Sequence, residues 1–407
     1  MFEANEQIPH GELILRYDRC RQLLSEQRPE AGGLMIFSRP SIYYFTGCMT
    51  SGVFWLPMQG EPLLMLRKGM ERAVLESPRT KAVAYRSYSD LSRLANEHEV
   101  PLTPVIAAEQ SSLPWNLADN LQRRLSEVKF VSGDQVVSHA RALKTTWELN
   151  KMRQAGARHA EGMENLLPAS IWPGMTELEI AHKLSDIFYS LENCAIHRMN
   201  AFGEEMFFGE VSAGDNGNYP TFYNGPLGCR GAHPAMPYLG CGRSVWTEGS
   251  ILTIDVGFCF EGYNSDKTLC YFAGAKKEIP ALARKAHDVC REIEDCTAKM
   301  LKPGNIPYKI YENALALADK AGFGQGFMGA GNNAVPFLGH GIGLCLDEWP
   351  VLARHFERPL EAGMTLAVEP KIGLPGIGMV GSENTWEVTA NGGACLSGGI
   401  RDIICVE

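Results

Sequence analysis

Short apolar blocks separated by turn residues fill the first third of the chain. Ile14 to Ser25 places Leu15, Leu23 and Leu24 among polar positions, the spacing of an amphipathic helix. Gly33-Leu34-Met35-Ile36-Phe37 is a brief apolar run after glycines and predicts a buried strand. Arg39 to Gly47 predicts a turn and a short helix, Pro62 to Leu66 a strand, and Gly69 to Glu76 a helix. Val83-Ala84-Tyr85, Pro104-Val105-Ile106-Ala107 and Lys129-Phe130-Val131 continue the series, with helical stretches between them. This alternation predicts an α/β domain around a central sheet over residues 1–140. It contains no phosphate-cradling glycine loop. Its expected work is structural: packing, dimerisation, or covering a site elsewhere.

The pattern changes near residues 133–147, so a second domain is expected over 141–407. Thr145-Thr146-Trp147-Glu148 reads as a helix start, with Thr146 capping a helix that runs through Glu164. Thr176 and Glu179 form a capping box ahead of a helix to about Leu191. Residues 196–224 are rich in glycine and aromatics, a composition suited to strand and loop walling a pocket. His233 follows in Gly231-Ala232-His233-Pro234. Ile251 to Gly257 then alternates as a strand, Glu261-Gly262-Tyr263-Asn264 supplies turn chemistry, and Ser265 to Phe272 returns.

A strand's period of two puts Asp255 on one face with Thr253 and Gly257, and Asp266 on one face with Thr268. The hairpin therefore brings two aspartates together, and they repel unless a cation lies between them. The competing reading leaves one aspartate as a solvated turn residue. Helices are expected over Pro280 to Leu301 and Tyr308 to Ala321. A second hairpin ends the domain, with Glu369 in the strand Met364 to Pro370 and Glu383 on the return from Met379 to Val388. Between the hairpins His340 stands between two glycines in Gly339-His340-Gly341-Ile342-Gly343. Taken alone, a histidine between glycines reads as a hydrogen-bonded turn residue; the carboxylates on either side turn the reading to a metal ligand. Two carboxylate hairpins and one imidazole suggest two similar halves closing on one site. Four carboxylates against two divalent cations is self-neutralising, and hard oxygens with one nitrogen suit manganese, cobalt, iron or zinc.

Composition narrows the alternatives. The 407 residues exceed one ordinary core, which agrees with two domains. The net charge of −9, with no basic block, argues against nucleic acid or anionic membrane as partner. No apolar run approaches the roughly 18 residues of a membrane span. The first residues lack the basic and apolar regions of a signal peptide, and the twelve scattered cysteines contain no C-x-x-C. Free thiols in a reducing cytoplasm are the expectation.

At these residues the chain resembles the pita-bread metallopeptidases, which include methionine aminopeptidase, aminopeptidase P and prolidase. The resemblance rests on Asp255 in I-D-V-G, Asp266 in S-D-x-T, His340 in G-H-G-I-G-L, Glu369 in V-E-P, and Glu383 in the last hairpin. Residues 1–140 resemble the creatinase-type N-terminal domain of aminopeptidase P and prolidase. The resemblance implies an α+β catalytic domain with pseudo-twofold halves, a homodimer, and two divalent metal ions. Asp255 would hold one ion, Asp266 and Glu383 would bridge, and His340 and Glu369 would complete the other shell. It also implies attack by a metal-bound hydroxide on a short peptide, with Glu369 accepting the proton and His233 contacting substrate.

Three positions depart from the family's pattern. Asp347 replaces a histidine seven residues after His340, and an ionised aspartate cannot donate a hydrogen bond. Gly381 stands where an arginine is usual, and Lys371 where a glycine is usual. Lys371 is expected to face the metal pocket and balance Asp347, directly or through water. The leading reading is a Xaa-Pro-type peptidase. A small-molecule enzyme, creatinase-like or resembling the lyase of dimethylsulfoniopropionate around Asp347, is the alternative. A metal-free binding module is the third class, and the intact ligand set argues against it.

Overall fold

The computed structural model describes residues 2–194, 196–201, 203–221 and 223–407, and Glu205 by its backbone alone. Two compact units emerge, Met1–Arg141 and Ala142–Glu407.

In the first unit β1 (Gly33–Ile36), β2 (Gly52–Pro57), β3 (Leu63–Leu66), β4 (Lys81–Ala84), β5 (Val105–Ala108) and β6 (Lys129–Ser132) form one sheet in the order β4-β3-β2-β1-β5-β6. The β1–β2 and β2–β3 pairs are antiparallel, and the remaining pairs are parallel. Its helices are α1 (His10–Gln27), α2 (Arg39–Thr46), α3 (Met70–Glu76), α4 (Leu91–Glu97), α5 (Trp115–Arg124) and, running to the division, α6 (Asp134–Ala142). Met35, Trp55, Met65 and Ile106 are buried together on one face of the sheet with residues of α4 and α5. This is the expected α/β layer.

The second unit repeats one theme. In its first half β9 (Gly209–Ala213), β10 (Ile251–Phe260), β11 (Tyr263–Ala273) and β19 (Ile404–Val406) make a sheet ordered β19-β11-β10-β9, after a small ribbon of β7 (Ile196–Arg198) and β8 (Glu205–Phe207). Helices α7 (Thr146–Ala160) and α8 (Glu177–Ser190) share a core with it: Ile180, Leu184 and Phe188 pack with Leu252, Ile254, Val256 and Phe258. In the second half β12 (Phe337–Gly341), β13 (Glu348–Ala353), β14 (Thr365–Val368), β17 (Asn384–Thr389) and β18 (Gly392–Cys395) form a sheet ordered β13-β12-β14-β17-β18. Helices α9 (Ala281–Met300) and α10 (Pro307–Ala321) supply its core, with Ile293 and Ile310 packed among Leu338, Leu366 and Val388. Each half is a helix pair behind a sheet, antiparallel throughout in the second half and antiparallel except for the parallel β11–β19 pair in the first, the α+β arrangement with two similar halves.

Two local expectations are corrected. Thr145, rather than Thr146, caps α7: its side chain accepts the Glu148 N–H, and Glu148 answers from the third position. Both threonines precede the same glutamate, but only Thr145 stands three residues before it, where the reciprocal bonds close. The last hairpin is also not continuous. Between β14 and β17 a separate ribbon intervenes, β15 (Lys371–Leu374) paired with β16 (Gly378–Gly381). The chain therefore breaks twice, at Glu369-Pro370 and at Ser382-Glu383. Proline cannot donate to a ladder, which places one break. Among the described residues no helix is long and apolar enough to cross a membrane.

Candidate metal centre

The β10–β11 hairpin turns through Glu261 (φ 49°) and Gly262 (φ 87°), the left-handed pair that a tight two-residue loop requires. That turn sets the register: Gly257 faces Asp266, and Asp255 faces Thr268. Asp255 and Asp266 are thus diagonal neighbours on one face, while Leu252, Ile254 and Val256 fill the core on the other. Glu369 and Glu383 sit at the two breaks of the second hairpin. An isolated bridge joins Thr268 to Glu383 and links the two halves through paired backbone bonds of 3.3 Å.

His340 lies on β12, paired with Ala367 of β14. Its flanking glycines do not take left-handed conformations. A Cβ on Gly339 would meet the Ala367 carbonyl at 2.1 Å, and one on Gly341 the Trp349 carbonyl at 2.4 Å. They admit the neighbouring strands.

Four carboxylates and one imidazole converge here. Donor atoms of Asp266, His340 and Glu383 lie within 4.8 Å of one another, as do those of Asp255, Glu369 and Glu383. His340 Nδ1 stands 3.0 Å from the Gly341 carbonyl, so Nδ1 carries the proton and Nε2 offers its lone pair. That Nε2 is 3.9 Å from Asp266 Oδ2 and 3.7 Å from Glu369 Oε1. Burial, reinforced by Glu383, Asp255 and Glu369, raises the Asp266 carboxyl well above its ordinary range. Burial also pushes Asp255 up to about 6, with Lys371 opposing and Glu383 adding. Burial disfavours a charged His340, and Glu369 and Glu383 outweigh it, so its pKa is raised. The Asp266–His340–Glu383 group offers two carboxylates and one imidazole, a donor set that fits a divalent cation.

The Asp255–Glu369–Glu383 group differs, because a cation is already built into it. Lys371, fully buried, places Nζ 3.0 Å from Asp255 Oδ2, 2.9 Å from Glu369 Oε2 and 2.8 Å from Glu383 Oε2. Burial works against its charge, and the three carboxylates more than compensate, so its pKa rises. Lys371 thus faces the carboxylate cluster. Its contacts are these three acids, and none of the described contacts takes it to Asp347. Gly381 is its Cα partner across the β15–β16 ribbon, and a Cβ there would come within 2.9 Å of Lys371 Cγ. The missing arginine and the added lysine are thus opposing positions of one ribbon.

Asp347 instead accepts the Asn200 N–H through Oδ1 at 2.6 Å. Burial raises its carboxyl, against the Asn200 bond and His340. Next to it, buried Glu348 receives Lys144 Nζ at 3.2 Å and the Cys345 N–H at 2.9 Å, which fixes the loop after His340. His233 lies in an exposed turn, where Nδ1 accepts the Ala235 N–H, and none of its described contacts reaches the cluster.

Two carboxylates escaped the sequence reading. Glu210 on β9 is the Cα partner of Asp255 and accepts from Thr221 Oγ1 at 3.0 Å. Burial, then Asp255, raises it well above the ordinary range. Its only sequence signal was a charged residue inside the run Gly209 to Ala213. Glu294 on α9 is fully buried and accepts from Ser382 Oγ at 2.5 Å, Asn384 Nδ2 at 2.8 Å and Trp386 Nε1 at 3.3 Å. It grips both sides of Glu383. Nothing local marks it among the acids of an amphipathic helix.

Comparison with known proteins bears on the whole chain. Residues 150–390 match the profile of metallopeptidase family M24, and residues 16–143 match that of the creatinase/prolidase N-terminal domain. The Xaa-Pro dipeptidase of Pyrococcus furiosus is 22% identical over 365 residues, covering 89% of this chain and 92% of the relative. The structure of an X-Pro aminopeptidase from Thermotoga maritima superposes with a TM-score of 0.76 at 23% identity, covering 96% of this chain and 99% of that one. The dipeptidase PepE from Mycobacterium ulcerans gives 0.78 at 22% identity, covering 98% and 100%.

Proposed function

The chain belongs to metallopeptidase family M24, behind a creatinase/prolidase-type N-terminal domain, and from that premise we propose that it hydrolyses Xaa-Pro bonds of short peptides. The observation that carries the reading is the convergence of Asp255, Asp266, His340, Glu369 and Glu383. A divalent ion would be held by Asp266, His340 and Glu383, with manganese, cobalt, iron and zinc all compatible with the donors. When bound, it polarises a carbonyl and makes water a stronger acid near neutral pH. Glu369 has Oε2 engaged by Lys371, which leaves Oε1, facing His340, to accept and return the proton. The Asp347 carboxyl, with Oδ1 taken by the Asn200 N–H, helps shape the wall next to His340. His233, in its exposed turn, has no part in this proposal.

The test is hydrolysis of Xaa-Pro dipeptides and longer Xaa-Pro peptides after loading with each of the four metals. Metal-dependent release of the residue before proline, abolished by a chelator, is the expected result. Full metal occupancy with no cleavage of any peptide would move the activity to small molecules.

A further inference from the structure

Lys371 makes the two halves of the donor cluster unequal. Its ammonium has three N–H bonds and three carboxylate oxygens within 3.0 Å, one each from Asp255, Glu369 and Glu383. Glu383 Oε2 also accepts the Thr268 hydroxyl at 2.8 Å. A carboxylate that bridges two metal ions gives one oxygen to each. Glu383 has two donors on Oε2, so only Oε1 remains for a metal. Asp255 and Glu369 have each turned one oxygen to the same nitrogen. Divalent ions bind oxygen at about 2.0–2.2 Å, so a second ion drawing on these oxygens would have to displace the ammonium. The lysine has no solvent position within its present packing, because it is fully buried at the start of β15, against Gly381.

We propose that the centre holds one divalent ion, on Asp266, His340 and Glu383, and that the Lys371 ammonium occupies the position of a second cation among Asp255, Glu369 and Glu383. This rests on the reading of the cluster as a metal site. Lys371 is then a positioning residue: it neutralises Asp255, orients Glu369 and prevents Glu383 from bridging. The swap across the ribbon supports this assignment. A cation on the Gly381 side would approach from the opposite strand, and glycine there leaves the space that the lysine stem fills.

The full chain is loaded with excess Mn²⁺, freed of unbound ion by gel filtration, and counted by mass spectrometry of the metal against protein concentration. Its electron paramagnetic resonance spectrum is recorded as well. One ion per chain with an uncoupled Mn²⁺ spectrum is expected for the natural sequence. Lys371→Gly should double the count and introduce spin coupling, with circular dichroism confirming the fold; Lys371→Ala is the second variant if Lys371→Gly does not fold. Two coupled ions in the natural sequence would overturn the proposal, leaving metal dependence intact. A single ion in the folded variants would deny that Lys371 excludes the second. No bound ion at all would sink the metal reading itself, and this proposal with it.

Discussion

At the residue scale the centre is governed by which oxygen each acid leaves free. Asp266 illustrates this. Its backbone N–H is held by Thr385 Oγ1 at 2.8 Å and its Oδ1 by the Lys267 N–H at 3.1 Å, so Oδ2 is aimed at His340. Asp266→Ala should therefore retain the fold and lose the bound ion. Equal metal content in variant and natural chain would refute the ligand assignment. The four converging acids stood out in the sequence because carboxylates in apolar strands are costly, and hence conspicuous. The partner of Lys371 did not. A strand period of two says which face a side chain takes, but the reach of a lysine stem covers several acids on that face. Only their positions decide that Asp255, Glu369 and Glu383 receive it and Asp347 does not.

At the scale of elements, the glutamates sit where strands stop. Glu369 follows β14 and Glu383 precedes β17, so neither is committed to a regular ladder. The joint at Glu383 is secured from behind by α9. Glu294 accepts from residues on both sides of it, and Lys267 of β11 donates to Asn384 Oδ1 at 2.8 Å. Removing a group that orients a ligand typically weakens metal affinity about 10–100-fold. Glu294→Gln should raise the metal dissociation constant within that range, measured by competition with a chromophoric chelator. An unchanged constant would show that the joint holds its shape without the carboxylate. The sequence marked the hairpin by its apolar alternation and its Leu374 to Gly378 turn. It did not mark the breaks, because they depend on the β15–β16 ribbon separating from the main sheet. Nor could it pair a helix glutamate with a loop about 90 residues later, since that contact exists only after packing.

At the scale of the molecule, the helix layers bury titratable groups and so make stability depend on pH. Burial lowers His287, on α9, to about 4 from an ordinary 6.5. The folded state therefore keeps this histidine neutral while the unfolded chain binds a proton, so its contribution is present above pH 6.5 and is lost as pH falls towards 4. The slope approaches ~1.4 kcal/mol per pH unit within that window. His197, also lowered to about 4 by burial, acts in the same direction. Asp255 acts oppositely in metal-free protein, because an acid raised to about 6 gains a proton earlier when folded. A comparison of variants separates these effects. His287→Gln should flatten the loss of urea resistance between pH 6.5 and 4, and parallel curves for the two proteins would refute the buried neutral state. Organisation at this scale was legible from the chain: the α/β alternation ahead of the boundary, and two carboxylate hairpins with a histidine between them. Alternation and residue order report which faces must be buried and which acids need a cation, and these are local requirements of solvation. The tertiary structure alone decided how the two halves share that cation's place. Distances between side chains 100 or more residues apart, such as the 2.8 Å from Thr268 to Glu383, are set by packing rather than by any local pattern. The same packing puts the Lys371 ammonium among three of the five predicted ligands.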